Sequence, residues 1–363
     1  MREHNHPKLS VLVAVYNVEY YIEECLRSLH SQSYADVEFV IIDDGSTDSS
    51  GKICDEFQAI DKRFRVIHFQ KNLGLLLARK CAIEHCTGQY VIFLDGDDLL
   101  QNSECLKDLA SAISLSDFDI LGFPIEVFGD NNVRCSSVKN GLSFQRVSTI
   151  TSSQEILKAI FSDSRLMTWT IWNKCYKAHV VKNVSVLIPD EHVVMAEDVF
   201  LVFLFASNAN NFKTLDISPV IAYRLGTGVS TKPISKASEF QEIVKCLRII
   251  KFLRNLVVLE KLQTSCQLFI SYTLDRLLRN TLNTWSTLPS NQKVMAFEFL
   301  LKEGFYPETL KISAKMFGHK ESDLLLIMEG VANYLRRVQS SPAHILDQLA
   351  QKIEVLLRLV RKA

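Results

Sequence analysis

Four short apolar runs punctuate the first hundred residues: "LSVLVAV" (9–15), "VEFVII" (37–42), "RVIHF" (65–69) and "YVIFL" (90–94). Continuous apolar strands are buried on both faces, and their alternation with helical segments at this spacing builds a mainly parallel α/β sheet flanked by helices. The segments between them fit that scheme. Ile22, Cys25, Leu26 and Leu29 recur at intervals of three and four, which marks one helical face. Ile53, Phe57 and Ile60 line a second helix, for which Ser46 or Thr47 is the expected cap, and a third runs from Leu75 to Cys86.

The ends of the apolar runs are polar. The fourth runs directly into Asp95, Gly96, Asp97 and Asp98. Like charges this close raise one another's pKa unless a cation or several donors neutralise them. A solvated Asp-Gly turn or a helix N-cap would use the same residues without a cation. In open α/β sheets, however, ligands bind beyond the carboxyl ends of the strands, so Tyr16 with Asn17, Asp43 with Asp44, and Asp95 to Asp98 are expected on one rim. Three polar strand ends on one crevice favour a cation site.

The chain has 363 residues, 47% of them apolar, enough for one large domain or two ordinary ones. Lys plus Arg number 41, as do Asp plus Glu, so no net field draws it to nucleic acid or a bilayer. No run of about 18 apolar residues and no leader-like start is present, so the expectation is a soluble, cytoplasmic protein. The nine cysteines include no C-x-x-C pair and read as reduced core thiols.

Past residue 100 the pattern loosens. "DFDILGFPIEVFG" (117–129) reads as one further strand, and 130–149 as a polar loop or hairpin. Glu197 and Asp198 head an apolar helix. From Ser235 onward the periodicity is helical, with stripes at Phe240, Ile243, Val244, Leu247 and at Ile345, Leu346, Leu349, Ile353, Leu356. Two domains are expected, 1–234 and 235–363.

"VAVYN", "IIDDGSTDSS", "KNLGLLLARK", "LDGDD", "WNKCYK" and "AEDVF" occur in that order. Together they resemble a family 2 inverting glycosyltransferase of the GT-A fold, the type found in bacterial capsule and lipooligosaccharide synthesis, over about residues 8–232. The resemblance implies a GT-A domain followed by an α-helical region. It also implies transfer from a nucleotide-sugar, a UDP-sugar first of all, to a glycan or lipid-linked glycan acceptor. A divalent ion, Mn²⁺ or Mg²⁺, suits a few carboxylates plus substrate phosphates and can stabilise a departing diphosphate. By resemblance, Asp95, Gly96 and Asp97 form the DxD element, with the ion on Asp97 or Asp98. Asp44 is expected to accept from the uracil N3–H, with Ala14 and Tyr16 flanking the base and Arg79 near the diphosphate. Lys80 stands where the family has Asn. Asp198 matches the catalytic base, and Trp172, Asn173 and Glu197 are expected on the acceptor side. The "YRLGTGVST" loop (223–231), with Arg224 and Ser230, is suited to closing over the diphosphate.

Plainer readings stand beside these. Asp43 could cap its own loop, Tyr16 and Trp172 could be packing, and Glu197 and Asp198 could simply favour a helix N-terminus. The basic amphipathic end "QKIEVLLRLVRKA" is open to packing on its own protein, on a second copy as a homodimer, or on the inner face of the cytoplasmic membrane. A nucleotide-binding oxidoreductase would show G-x-G-x-x-G after the first strand, where this chain has no glycine. The rival from another class is a non-catalytic scaffold that binds nucleotide-sugar or glycan.

Overall fold

The computed structural model describes residues 8–115, 117–129, 135–136, 138–139, 142, 149–161, 167–227, 234–260, 264–303, 306–317, 323, 326–327, 330–331 and 334. It divides into two compact units, 1–232 and 233–363.

In the first unit, β1 (Leu9–Val15), β2 (Val37–Asp43), β3 (Phe64–His68) and β4 (Tyr90–Asp95) form the parallel half of a seven-stranded sheet. β5 (Leu99–Leu100) belongs to a smaller sheet. The large sheet is completed by β6 (Ile120–Gly122), β8 (Lys174–Lys177) and β9 (Phe212–Thr214), in the order β3-β2-β1-β4-β8-β6-β9. The chain winds outward from β1 through β2 to β3, then returns to place β4 on the other side of β1, so a topological switch point lies between β1 and β4. In register, Ala14 faces Asp95 across one seam and Val15 faces Asp43 across the other.

The strands pack as their apolar character requires: Val11, Val13, Phe39, Ile41, Ile92 and Phe93 are all fully or almost fully buried. Helices α1 (Ile22–His30), α2 (Ser50–Ile60), α3 (Leu75–His85) and α4 (Cys105–Ser114) connect or flank these strands. The stripe of α1 is buried at Ile22, Cys25, Leu26 and Leu29. α2 differs from the expected face. Ser50, Cys54 and Phe57 are its buried residues, while Ile60 is 68% exposed. Its N-cap is Ser49; Ser46 and Thr47 are engaged elsewhere, with Ser46 Oγ accepting from the Asn17 N–H and the Thr47 N–H donating to Asn17 Oδ1.

Residues 117–129 do not make one strand. Pro124, which has no N–H for a ladder, separates β6 from β7 (Ile125–Phe128), and β7 joins the second sheet, ordered β5-β10-β7, with β10 (Ile221–Arg224) at its centre. Most of 130–149 lies outside the described residues; Cys135, Ser136, Val138, Lys139 and Leu142 are helical rather than loop. Helices α5 (Ser153–Phe161), α6 (Ala178–Ser185) and α7 (Glu197–Asn208) complete the unit.

The second unit is helical in its described residues: α8 (Ala237–Val244), α9 (Arg248–Glu260), α10 (Thr264–Thr287), α11 (Ser290–Lys302) and α12 (Tyr306–Phe317). Phe240, Val244 and Leu247 of the expected stripe are buried. The stripe at 345–356 and the basic terminal helix lie outside the described residues. Among the described residues no helix is long and apolar enough to cross a membrane. Eight cysteines are placed as free thiols, seven of them buried.

Candidate active site

The carboxyl ends of β1, β2 and β4 meet at the switch point. The loop after β1 and the turn after β2 are sewn together. Besides the two Asn17 bonds, the Val18 N–H donates to Ser50 Oγ, the Glu19 N–H to Asp48 Oδ2, and the Ser49 N–H to Glu19 Oε2. Asn17 is held at φ 50°, a left-handed conformation that an Asn tolerates better than most residues. This stitching leaves Tyr16, 45% exposed, standing at the end of β1, while Ala14 is half-buried beneath it.

Asp43 and Asp44 are both buried but serve different partners. Asp43 accepts from the Ser46 N–H and bonds His68 Nδ1 at 2.8 Å, and His68 Nε2 lies 3.0 Å from Asp55. Burial opposes protonation of His68, but these two carboxylates outweigh it and raise its pKa. Asp44 accepts from the backbone N–H groups of Leu73 (2.6 Å) and Gly74 (2.9 Å) and from Asn72 Nδ2 (3.0 Å). Its burial raises the carboxyl pKa against these bonds. A carboxylate offers about four lone-pair directions, so one remains for a ligand donor. The turn that Asp44 grips carries Gly74 at φ +96°, and a Cβ there would meet the Val193 backbone at 2.9 Å. The segment leading to Asp198 therefore docks on the Asp44 turn.

Helix α3 extends that docking. The Leu76 N–H donates to the Val193 carbonyl, and Lys80 Nζ donates to the Ile188 carbonyl and to Asp190. Lys80 thus has a positional role here. Between them Arg79, 4% exposed, reaches Asp95 Oδ1 at 2.8 Å through Nη2 and Glu197 Oε1 at 2.5 Å through Nη1. Burial works against its charge, but the fields of Asp95 and Glu197 raise its pKa further. Expected at the diphosphate, Arg79 instead spans the carboxylates of β4 and α7.

In the acidic turn, Gly96 donates its N–H to the Ala14 carbonyl, and a Cβ there would lie 3.1 Å from that oxygen. Asp97 Oδ2 accepts from Thr227 Oγ1 at 2.6 Å. Asp98, 1% exposed, accepts the Arg224 N–H through Oδ1, and its Oδ2 is buried without a partner. Burial, then the charges of Asp97 and Asp95, push the Asp98 carboxyl well above its usual range; Asp97 is raised by burial and by Asp95. Among the described residues no group of three or more His, Cys, Asp or Glu could hold an ion unaided. An orphaned carboxylate oxygen amid three acids nevertheless fits a cation whose remaining ligands arrive with a substrate, the usual habit of Mg²⁺ and Mn²⁺. Arg224 is itself pinned, with Nε on the Asp97 carbonyl, Nη2 on Glu24, and its guanidinium over the Tyr21 and Phe128 rings. Ser230 lies outside the described residues.

Asp198 is the second residue of α7 and half-buried. Burial and the neighbouring Glu197 push its carboxyl up to about 7. The residue before the helix, Ala196, is held at φ 61°, a strained conformation for a residue with a Cβ and of the kind that collects at functional sites. Glu197 is 5% exposed and raised by burial, with Arg79 opposing the shift.

The three residues expected on the acceptor side, Trp172, Asn173 and Glu197, are all buried. Trp172, 6% exposed, stacks on Tyr223 with ring centroids 5.0 Å apart and planes 8° from parallel, so that face of the indole is closed to a sugar. Asn173, 1% exposed, spends its carboxamide on Lys174 and Thr168. Sequence reasoning named neither Thr227, though its loop 223–231 was singled out, nor the Leu73 and Gly74 amides, for which the glycine of "KNLG" was a visible signal, nor the strain at Ala196.

The mainly parallel sheet with acids at its switch point, followed in sequence by helices, has the architecture of the GT-A glycosyltransferase fold. The model of the family described as glycosyl transferase family 2 matches residues 10–174. EpsH and EpsJ of Bacillus subtilis strain 168 are 32% and 34% identical over 226 and 192 residues, covering 60% and 53% of this chain. The chain spans 61% and 54% of those relatives' own lengths. The glycosyltransferase GlyA of Streptococcus pneumoniae is 46% identical over 94 residues, 26% of this chain and 13% of that protein. The crystal structure of S. aureus TarS 1–349 in complex with UDP-GlcNAc superposes with a TM-score of 0.51 at 20% identity, covering 85% of this chain and 92% of that one, a likeness of fold.

Proposed function

We propose that the chain is an inverting glycosyltransferase. It moves a sugar from a nucleotide-sugar, UDP-linked in the first instance, to a hydroxyl of a glycan or lipid-linked glycan during assembly of a bacterial surface polysaccharide. The observation that carries this reading is Asp198: a half-buried carboxyl raised to about 7, at the head of α7 and joined to the strand-end acids through Glu197, Arg79 and Asp95. A base poised near neutrality is what proton removal from a hydroxyl requires.

Tyr16 and the remaining lone pair of Asp44 suit a nucleobase with an N–H edge. Asp97, and the orphaned oxygen of Asp98, would hold a divalent ion against the diphosphate; such an ion, when bound, neutralises charge on the departing group. The acceptor oxygen attacks the anomeric carbon from the face opposite the diphosphate, its proton passes to Asp198, and the carbon–oxygen bond to the nucleoside diphosphate breaks with the electron pair on the leaving group. TarS, the neighbour whose crystal structure holds UDP-GlcNAc, supports the choice of UDP as first donor class to test. The reading also includes work at the cytoplasmic side of the membrane.

A panel of nucleotide-sugars with Mn²⁺, read by release of free nucleoside diphosphate, tests the proposal. Release by the native protein and its loss in Asp198→Asn are expected. Nucleotide-sugars that raise the melting temperature without any release would overturn transfer in favour of the scaffold reading.

A further inference from the structure

His68 closes β3 with both ring nitrogens on carboxylates: Nδ1 lies 2.8 Å from Asp43 of β2, and Nε2 lies 3.0 Å from Asp55 of α2. A neutral imidazole has one N–H and a carboxylate has none to offer, so both contacts are hydrogen bonds only when the ring is an imidazolium. Such bonds are charge-assisted and stronger than neutral ones. Asp43 and Asp55 are the charged groups that face the ring. Cys54 of α2, beside Asp43, is pushed up to about 12 by burial and then by Asp43, so it stays a neutral thiol. With its side chain 40% exposed, His68 exchanges its proton with solvent although Asp43 is buried.

The contacts of this pair continue into the wall that carries Tyr16. Asp43 gives its other oxygen to the Ser46 N–H, and Ser46 Oγ accepts from the N–H of Asn17, the residue after Tyr16. Asp55 holds α2, whose first residue, Ser50, accepts the Val18 N–H on its hydroxyl. Gly51 in the same turn packs so closely that a Cβ would lie 2.6 Å from Asp43 Oδ2. β3 itself leads into the turn at Leu73 and Gly74 that Asp44 grips. Three elements meet at one ring, and each of them leads to the donor side of the crevice.

We propose that His68, as an imidazolium between Asp43 and Asp55, is a positioning residue of the donor site: it ties β2, β3 and α2 together behind the nucleobase wall, so that donor binding and protonation of this ring favour each other. The proposal rests on the reading of Tyr16 and Asp44 as the nucleobase site. UDP-GlcNAc with Mg²⁺ is the probe, since its diphosphate does not titrate near neutral pH. Isothermal titration should show its affinity weakening by about three- to tenfold as pH rises from about 6 to about 8.5, where a carboxylate-paired histidine loses its proton. Because Asp198 also titrates at about 7, the quantity compared is the ratio of native to His68→Gln affinity at each pH. It should be about three to ten at the acid end and fall toward one at the alkaline end. A ratio that stays constant across the range marks a merely structural side chain and would overturn the proposal. Linkage is reciprocal, so saturating UDP-GlcNAc should raise the His68 midpoint, followed by NMR at the ring Cε1–H, by the same factor, about half to one pH unit. If His68→Gln does not fold, Asp55→Asn carries the comparison: it leaves the Asp43 bond, and should lower the His68 midpoint and move the affinity profile toward lower pH with it. UDP-GlcNAc that binds without moving the His68 midpoint would overturn the clamp and leave the nucleobase reading intact. Failure of both UDP-GlcNAc and UDP to bind at any pH would sink the nucleobase reading and the proposal with it.

Discussion

The two walls of the candidate site are built in opposite ways. On the donor side, carboxylates stand at the ends of β2 and β4, beside the exposed Tyr16 at the end of β1. Residues 168–174, expected on the acceptor side, turn their polar groups inward: Trp172 stacks on Tyr223, and Asn173 and Lys174 form a network with Thr168 and Thr170. The carboxyl end of a parallel strand opens toward the crevice of the sheet, whereas an irregular segment can satisfy its own polar groups. In the proposed reading the donor wall meets a ligand directly, while the 168–174 segment is closed on itself.

Substitutions at each wall should therefore fail differently. The largest effect belongs to Asp198→Asn: turnover should fall by about 10² to 10⁴ fold with nucleotide-sugar binding retained, as measured by product release beside thermal shift. Equal loss of binding would erase the division between the walls. The native acid limb should lie near pH 7, with rate falling about tenfold per unit below it, because the base must be ionised. Stability runs the other way. A carboxyl raised in the folded state binds its proton more tightly there, so its stabilising effect is present at low pH and fades as pH rises through about 7. The melting temperature of Asp198→Asn should vary less between pH 5 and 8 than that of the native protein.

Arg79→Met comes next, since it leaves Asp95 and Glu197 facing each other without their shared cation. A destabilisation of roughly 3–5 kcal/mol is expected by chemical denaturation. A change under about 1 kcal/mol would mean that Arg79 does not tie β4 to α7. Tyr16→Ala should weaken nucleotide binding by about tenfold, within the range found for stacked bases, and leave folding intact. Isothermal titration with the nucleoside diphosphate and Mn²⁺ reads it, and unchanged affinity would remove Tyr16 from the base site. The smallest effect is expected from Thr227→Val, which breaks one bond to Asp97, worth about 1 kcal/mol. A several-fold change in Mn²⁺-dependent binding is the most it should produce.

Legibility in the sequence followed the same division. The runs at 9–15, 37–42 and 90–94 read as strands because they are short, rich in Val, Ile and Phe and closed by polar residues, and the acids that follow them fall on the rim by topology. The α2 face was misread because Ile60 sits in the last turn, beyond the sheet that would have buried it. The strand at 117–129 was overextended because apolar character alone does not weigh the missing N–H of Pro124.

By itself the sequence determined the mainly parallel sheet and the acids at its strand ends, since period, hydrophobicity and turn chemistry are local quantities that are written residue by residue. Tertiary structure alone decided that Arg79 spans Asp95 and Glu197, that Asp44 grips the turn on which Val193 docks, and that Lys174 is buried among the carbonyls of Thr168 and Thr170. Charge and burial depend on which distant segments meet, and a carboxyl acquires a pKa near 7 only from neighbours the chain brings to it.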